Sequence, residues 1–295
     1  MTGVRNRYGP VLVALCLLLA LWQTADASPA GAFELTIGAS RDDGGLIVFV
    51  PGSGCEPVGS QVQSMFHDAP GNWYIMTREK QYTRSLPFAL LGCSNEFHHH
   101  TTYPQLIKEQ IEFARAAIAA NPDTCRRVLI GYSEGGTVAP FVAAAVPGFT
   151  HVIVLSAGAM RGEDELRTTL AIDNEAGAVD RIIRAIRAAP RDIRNEIQGE
   201  KYRYWASMLD LEPMQAYQGI DTPVLMLHGD TDTVVPVAAA LFARARAQVL
   251  GKRNMTVEVL PRLGHGLGLD SADGRARFWR RVNDWLGTGQ CNGTR

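Results

Sequence analysis

The sequence has almost no excess charge of either sign. Its 295 residues include 29 Lys and Arg against 30 Asp and Glu, which gives a formal net charge of −1. Nucleic-acid-binding domains usually carry a strong basic excess on one face, so this balance argues against a nucleic-acid partner. The hydrophobic content of 46% and the charged content of 20% are ordinary for a globular protein and exclude a mostly disordered chain.

The sequence also lacks an apolar run long enough to cross a bilayer as a helix, which takes about 20 residues. The longest run, Val11–Trp22, is much shorter. Two arginines precede it and an Ala-Asp-Ala motif ending at Ala27 follows it, which is the layout of a secretory signal peptide. We expect residues 1–27 to be removed on export, leaving residues 28–295 as a secreted or periplasmic protein with no stable membrane insertion.

Short apolar segments alternate with amphipathic ones along the rest of the chain. Segments with the pattern of buried strands lie at residues 46–50, 73–77, 127–131, 151–155, 223–227 and 256–260. Helical patterns lie at residues 103–120, 135–146 and 237–249, and a last helix places Phe278, Val282 and Trp285 on one face. This alternation predicts an α/β fold with a mostly parallel central sheet and helices on both of its faces.

Residues 161–217 interrupt this alternation. They hold many charges, one clear amphipathic helix around Val179–Ile186 and no clear strand, and they lie between two predicted strands. An insertion between these strands begins at the carboxyl edge of the sheet, so it can form a lid or a wall of a substrate pocket there. We expect a small helical cap insertion over the sheet.

A G-x-S-x-G motif runs from Gly131 to Gly135 with Ser133 at its centre. It lies directly after a predicted strand and directly before a predicted helix, where this motif forms a tight turn that exposes the serine hydroxyl. The glycines let the strand and the helix approach each other closely. Ser133 is therefore the predicted nucleophile.

A serine hydroxyl needs a base to take its proton and an acid to orient that base. In the chain order Ser, acid, His, only His265 lies beyond the acid-bearing loop that follows residues 223–227, so His265 is the predicted base. Two aspartates follow that strand. Asp232 is favoured as the acid because it lies further into the turn, while Asp230 is better placed to hydrogen-bond the turn itself. Asp230 stays open as the alternative.

The oxyanion of a tetrahedral intermediate needs two hydrogen-bond donors. One is expected to be the backbone N–H of Glu134, and the other the N–H of Ser53 in the glycine-rich loop after residues 46–50, with the N–H of Gly54 as the alternative. The Glu134 side chain is expected to be a first-turn acid, which the helix dipole favours.

Together these motifs resemble the α/β-hydrolase fold. Over about residues 33–286, the segments P-G-S-G, G-Y-S-E-G-G, H-G-D-T-D-T-V-V-P and L-G-H-G-L are most similar to bacterial serine esterases with a G-H-S-E-G-G turn and to prolyl-oligopeptidase-like and dienelactone hydrolase-like relatives. The resemblance implies the catalytic triad Ser133, Asp232 and His265, with Ser53 and Glu134 as oxyanion donors. Tyr132 and Pro51 stand where the family often has His, so the subfamily stays open.

Four cysteines remain after removal of residues 1–27, an even number that fits two disulfides in an exported protein. In the expected topology, Cys55 and Cys93 lie near the carboxyl edge of the sheet, while Cys125 and Cys291 lie near the opposite edge. Pairing within each edge gives Cys55–Cys93 and Cys125–Cys291, which is one of three possible connectivities.

The expected function is hydrolysis of a carboxylic ester-type bond in a small-molecule substrate, without cofactor or metal. A serine peptidase or amidase using the same triad is the nearest alternative, and a non-catalytic hydrolase-fold binding protein is another. The run His98-His99-His100 is expected to be a loop near the pocket rim, because consecutive side chains cannot all face one ion.

Overall fold

The computed structural model describes residues 32–37, 44–84 and 92–287. The strands in chain order are β1 (Ala32–Ile37), β2 (Gly45–Val50), β3 (Trp73–Arg78), β4 (Arg127–Tyr132), β5 (His151–Leu155), β6 (Glu196–Ile197), β7 (Glu200–Lys201), β8 (Val224–Gly229) and β9 (Met255–Leu260). Seven of them form one sheet in the order β1-β3-β2-β4-β5-β8-β9, and β6 and β7 form a separate hairpin. Among the described strands of the large sheet, β1 alone runs antiparallel to its neighbour, so the predicted mostly parallel sheet is confirmed.

Ten helices lie within the described residues. They are α1 (Val58–Phe66), α2 (Asn95–His100), α3 (Tyr103–Ala119), α4 (Glu134–Ala145), α5 (Gly162–Leu170), α6 (Ala176–Ala188), α7 (Tyr202–Met208), α8 (Pro213–Gln218), α9 (Val237–Val249) and α10 (Ala272–Leu286). None of the helices within these ranges combines the length and apolar character needed to cross a bilayer.

The side chains of β2 show how the sheet divides the core. Leu46, Val48 and Val50 point to one face, where they join a cluster that includes α3, α4 and α9. Ile47 and Phe49 point to the other face and join α1 and α10. All five are almost fully buried because helices cover both faces, which explains the unbroken apolar run in the sequence.

Several elements were not predicted. β1 pairs antiparallel with β3 at the edge of the sheet, so its sequence alternates between apolar and polar residues instead of forming an apolar run. β6 and β7 are only two residues long, too short to show a pattern. The expectation of no strand in residues 161–217 was therefore wrong for this hairpin.

Residues 156–223 connect β5 to β8. The predicted insertion, residues 161–217, holds α5, α6, α7 and all of α8 except its last residue. The first three of these helices have a small apolar core of their own, formed by Leu166, Leu170, Val179, Ile183, Ile186 and Leu209. Tyr204 of α7 links this segment to the main core, since its hydroxyl donates to the Tyr103 hydroxyl of α3 at 3.0 Å.

Candidate active site

Ser133 lies in a strained turn between β4 and α4. Its backbone has φ 54° and ψ −119°, a left-handed conformation that non-glycine residues rarely adopt. Close packing holds this turn. A Cβ on Gly131 would lie 2.3 Å from the Gly135 carbonyl oxygen, and a Cβ on Gly135 would lie 2.0 Å from that of Val50. Neither position has room for a side chain, which explains both glycines of the motif.

The three predicted triad residues lie within hydrogen-bonding distance of one another. The Ser133 hydroxyl lies 2.9 Å from His265 Nε2, and His265 Nδ1 lies 2.8 Å from Asp232 Oδ2. They come from the ends of β4, β8 and β9, which are neighbours at the carboxyl edge of the sheet or separated only by β5. In this arrangement the hydroxyl can donate to Nε2, and Nδ1–H can donate to the carboxylate.

Asp232 is buried and held by several donors. Its Oδ1 accepts hydrogen bonds from the backbone N–H groups of Val234 at 2.8 Å and Val235 at 3.0 Å. Burial raises its pKa, but the hydrogen bond and positive charge of His265 and the two amides outweigh burial, so the pKa lies below its ordinary value. Asp230 instead accepts from the Arg262 N–H at 2.6 Å, within the neighbouring turn.

The loop that carries His265 is anchored from below by β5. Ser156, directly after that strand, donates its hydroxyl to the carbonyl of His265 at 2.6 Å. The ring of Tyr132 lies 5.4 Å from the imidazole ring, measured between centroids. These contacts hold the imidazole between the Ser133 hydroxyl and the Asp232 carboxylate, where the predicted base would have to lie.

The predicted oxyanion donors have no other acceptor within the described part of the chain. The N–H groups of Ser53, Gly54 and Glu134 make no hydrogen bond to any described residue. The N–H of Gly52, by contrast, donates to Gln61 Oε1 at 3.2 Å. Unused N–H donors are what an oxyanion hole needs, and Glu134 directly follows the predicted nucleophile Ser133, so Ser53 and Gly54 both stay candidates for the second donor.

Lys80 is a residue of the site that sequence reasoning missed. Its ammonium group lies 2.5 Å from Glu134 Oε1 and donates to the Gly52 carbonyl at 2.8 Å. The Glu134 side chain is therefore a partner in a buried ion pair, and not simply a first-turn acid. One signal was available in the sequence, since Lys80 follows closely on a buried strand that ends at the same edge as the nucleophile turn.

His228 is a second histidine next to the acid. It is fully buried, its Nδ1–H donates to the Gly229 carbonyl at 2.9 Å, and its Nε2 lies 3.7 Å from Asp232 Oδ2. Burial lowers the pKa of His228 and outweighs the hydrogen bond to Gly229 and the charge of Asp232, which both raise it. His228 is thus a neutral neighbour of the aspartate at neutral pH.

Two glutamates of the segment 161–217 titrate near neutrality. Burial raises the pKa of Glu165 to about 7, and the charge of Asp232 adds to that shift. Burial also raises the pKa of Glu200 to about 7, with a further contribution from Glu134. Each group therefore feels the charge of a residue in the site, so this segment contributes to the electrostatics around Ser133.

The structure contains the expected disulfide between Cys55 and Cys93, with the two Cα atoms 5.5 Å apart. It ties the segment after the Gly52–Gly54 loop to the residue before the Ser94 cap of α2. Cys125 is also disulfide-bonded. Its expected partner Cys291 lies outside the described residues, so that pairing stays a prediction.

The three consecutive histidines lie in a helix, and the expectation of a loop was wrong. Ser94 caps α2 by accepting a hydrogen bond from the Phe97 N–H at 3.1 Å, so His98, His99 and His100 form its last turn. His100 contacts Glu109 of α3 at 2.7 Å. No group of three or more His, Cys, Asp or Glu able to hold a metal ion occurs among the described residues.

The fold and the site geometry agree with a sequence-family comparison. The model of the alpha/beta hydrolase family matches residues 47–278, which is well over half of the chain. The protein therefore belongs to the alpha/beta hydrolase family, as the sequence motifs predicted. No protein of curated function matches the sequence.

Solved structures with a similar fold include both esterases and a peptidase. The ferulic acid complex of Est1E from Butyrivibrio proteoclasticus is 17% identical with a TM-score of 0.59, and the match covers 89% of this chain and 96% of that one. A thermostable carboxyl esterase from Bacillus coagulans is 14% identical with a TM-score of 0.56, covering 87% and 98%. The Pyrococcus horikoshii acylaminoacyl peptidase is 15% identical with a TM-score of 0.58, but this chain spans only 40% of its length.

Proposed function

We propose that the protein is a serine hydrolase that cleaves carboxylic ester-type bonds through an acyl-enzyme intermediate. The observation that carries this proposal is the hydrogen-bonded series Ser133–His265–Asp232, with distances of 2.9 and 2.8 Å. The strained backbone of Ser133 and the unused N–H groups of Ser53 and Glu134 support the same function.

The proposed reaction has two halves. His265 Nε2 takes the proton of the Ser133 hydroxyl while Oγ attacks the ester carbonyl carbon, and the Ser53 and Glu134 N–H groups bind the resulting oxyanion. The tetrahedral intermediate expels the alcohol, which takes the proton from His265. A water molecule then attacks the acyl-enzyme with the same base, and free Ser133 and a carboxylic acid are formed. Asp232 stabilises the imidazolium in both halves.

An ester is the favoured substrate class. The two esterases match this chain over nearly their whole length, whereas the acylaminoacyl peptidase contains a large part with no counterpart in the match. A peptidase or amidase activity on the same triad remains the second candidate because that peptidase shares the fold. A panel of esters, thioesters and aminoacyl-arylamides separates the two, since the preferred leaving group differs.

We further propose that the protein is exported. The apolar run and Ala-Asp-Ala motif before residue 28 support this, and so does the Cys55–Cys93 disulfide, because structural disulfides persist mainly in oxidising compartments. Residues 1–27 lie outside the described residues, so the signal peptide is argued from the sequence.

Replacement of the nucleophile tests the proposed function. Ser133→Ala is expected to lower kcat on a short p-nitrophenyl ester by several orders of magnitude while the protein stays folded, because only the attacking atom is removed. Circular dichroism and the thermal midpoint provide the folding control. Activity retained in this variant would reject Ser133 as the nucleophile.

A further inference from the structure

Lys80 contacts both sides of the proposed oxyanion hole. Its Nζ lies 2.5 Å from Glu134 Oε1 and donates hydrogen bonds to the carbonyl oxygens of Gly52 at 2.8 Å and Gly54 at 3.4 Å. The side chains of Lys80 and Glu134 are 7% and 3% exposed. Solvent therefore screens this charge pair only weakly.

Stability alone is a poor reason for such a pair. Removing two charges from water is costly, and replacing a buried ion pair with well-packed apolar residues is often neutral or stabilising. The other oxygen of Glu134, Oε2, is buried without a hydrogen-bond partner among the described residues. An unsatisfied buried carboxylate oxygen destabilises the fold, so stability does not explain this ion pair. The hydrogen bonds of Lys80 to the Gly52 and Gly54 carbonyl oxygens indicate a role in positioning this loop.

The Gly52 carbonyl fixes the direction of the Ser53 N–H. In a trans peptide unit, the C=O of one residue and the N–H of the next point to opposite sides. Because the Gly52 oxygen binds the Lys80 ammonium, the Ser53 N–H must point away from Lys80. The preceding peptide unit is also held, since the Gly52 N–H donates to Gln61 Oε1 at 3.2 Å.

The same contact also strengthens the donor. An ammonium bound to a carbonyl polarises the whole peptide unit, and this makes the N–H at its other end a better donor to a negative oxygen. Glu134 links the two donors. Its side chain holds Lys80, and its backbone N–H is the second proposed donor.

We propose that Lys80 is a positioning residue of the oxyanion hole. Its ammonium fixes the Gly52–Ser53 peptide so that the Ser53 N–H faces the oxyanion, and Glu134 keeps the ammonium in place while its backbone N–H supplies the second donor. This inference rests on the proposed function, because an oxyanion forms only if Ser133 attacks a carbonyl.

Lys80→Met tests the proposal, since it removes the ammonium and keeps an unbranched chain of similar length. We expect kcat on a p-nitrophenyl ester to fall by about a hundredfold, as after loss of one oxyanion donor, with little change in KM. Lys252→Met is the matched control. Lys252 also donates to two backbone carbonyls, those of Gln218 at 3.2 Å and Ile220 at 2.7 Å, but at the opposite edge of the sheet. The kcat of Lys252→Met should therefore equal that of the wild type.

A thionoester substrate separates positioning from general damage. Sulfur accepts hydrogen bonds weakly, so thionoester hydrolysis gains little from an oxyanion hole. In Lys80→Met the ratio of the ester rate to the thionoester rate should therefore fall by about the same factor as kcat. An equal loss on both substrates would overturn the proposal, and so would a kcat close to that of the wild type.

Glu134→Gln is the second variant and decides the matter if Lys80→Met does not fold. It removes the charge that holds the ammonium but keeps an oxygen of similar placement, so we expect a loss of about tenfold in kcat with a lowered ester-to-thionoester ratio. An unchanged ratio would overturn the proposal. Failure of the proposed function looks different, because then the wild type itself lacks hydrolase activity or Ser133→Ala retains it.

Discussion

The carboxylates around Ser133 differ in the groups that surround them, and those groups set their charge. Asp232 has a histidine and two backbone amides as donors, which hold its pKa below the ordinary value despite burial. Glu165 has no such donors among the described residues, and its pKa rises to about 7. The first is therefore ionised throughout the neutral range, whereas the second changes charge within it.

The choice between the two aspartates can be tested directly. Asp232→Asn should lower kcat by about 10⁴-fold, the loss seen when a Ser-His-Asp triad keeps its geometry but its histidine takes the wrong tautomer. Asp230→Asn is the matched control, since Asp230 contacts the Arg262 N–H and not the imidazole. Steady-state kinetics on the same ester checks both. A larger loss in the Asp230 variant would assign the acid to Asp230.

Glu165 predicts a pH dependence of stability. Its pKa is about 7 in the folded protein against an ordinary value of 4.5, so the unfolded chain ionises first as the pH rises. The contribution of Glu165 to the free energy of unfolding is therefore fully present below about pH 4.5 and is lost as the pH rises through 7. Glu165→Gln should gain stability relative to the wild type between pH 5 and pH 8, on the order of 1–3 kcal/mol at about 1.4 kcal/mol per pKa unit.

Glu163→Gln, in the same helix, is the control for this pH dependence. Hydrogen bonds from Arg187 and Arg167 hold the pKa of Glu163 below its ordinary value. Its stabilising effect is thus lost only as the pH falls through that lowered pKa, and the difference from the wild type should stay constant between about pH 5 and 8. Urea unfolding across this range measures both variants. A constant difference for Glu165→Gln would contradict the buried placement of Glu165.

At the level of elements, the buried parallel strands were the most predictable part of the fold. Residues 151–155 and 237–249 were predicted with the bounds that the structure gives to β5 and α9. β1 was missed because Ala32–Ile37 alternates between apolar and polar residues, as an edge strand does, and lacks the continuous apolar run of the buried strands. α2 was missed because its single turn and a half depends on the Ser94 cap more than on apolar periodicity.

The approach of α4 to β2 sets a strict limit on the nucleophile turn. Gly135→Ala would place a methyl group 2.0 Å from the Val50 carbonyl oxygen and 2.5 Å from that of Pro51. We expect a loss of about 3 kcal/mol or more in the free energy of unfolding, with loss of activity, because the obstructing atoms are backbone oxygens at the end of β2 and the start of the proposed oxyanion loop.

Gly177→Ala is the matched glycine control. A Cβ there would have only the flexible end of Arg181 near it, at 3.6 Å. Near the start of α6 this change should be neutral or stabilising by up to about 1 kcal/mol. Denaturant unfolding compares the two variants, and equal effects would show that the close contact at Gly135 is not present in the protein.

At the level of the whole molecule, the predictable part of the site is the part that has a local motif. Ser133 has its turn motif and His265 its place late in the chain, so both could be proposed from sequence. Lys80 lies 54 residues before Glu134 and has no motif, and only the folded sheet brings its ammonium to the Gly52 carbonyl. The proposed role of Lys80 depends on contacts among three separate segments, those of Gly52, Lys80 and Glu134. A pattern within one segment cannot predict such contacts.

The proposed export predicts where the mature protein begins. If residues 1–27 are a signal peptide, the protein recovered from the periplasm or medium should begin at Ser28. Intact mass measurement and N-terminal sequencing check this. Recovery of the protein only in the cytoplasm, with its first 27 residues retained, would contradict export and leave the hydrolase site unaffected.

We propose that Ser133 is an activated nucleophile at the carboxyl edge of an alpha/beta hydrolase sheet. A fluorophosphonate probe reacts covalently with such a serine, and peptide mapping of the labelled protein locates the modified residue. We expect one label on Ser133 in the wild type and none in folded Ser133→Ala. Labelling at another residue, or a correctly folded wild type that does not label, would contradict it.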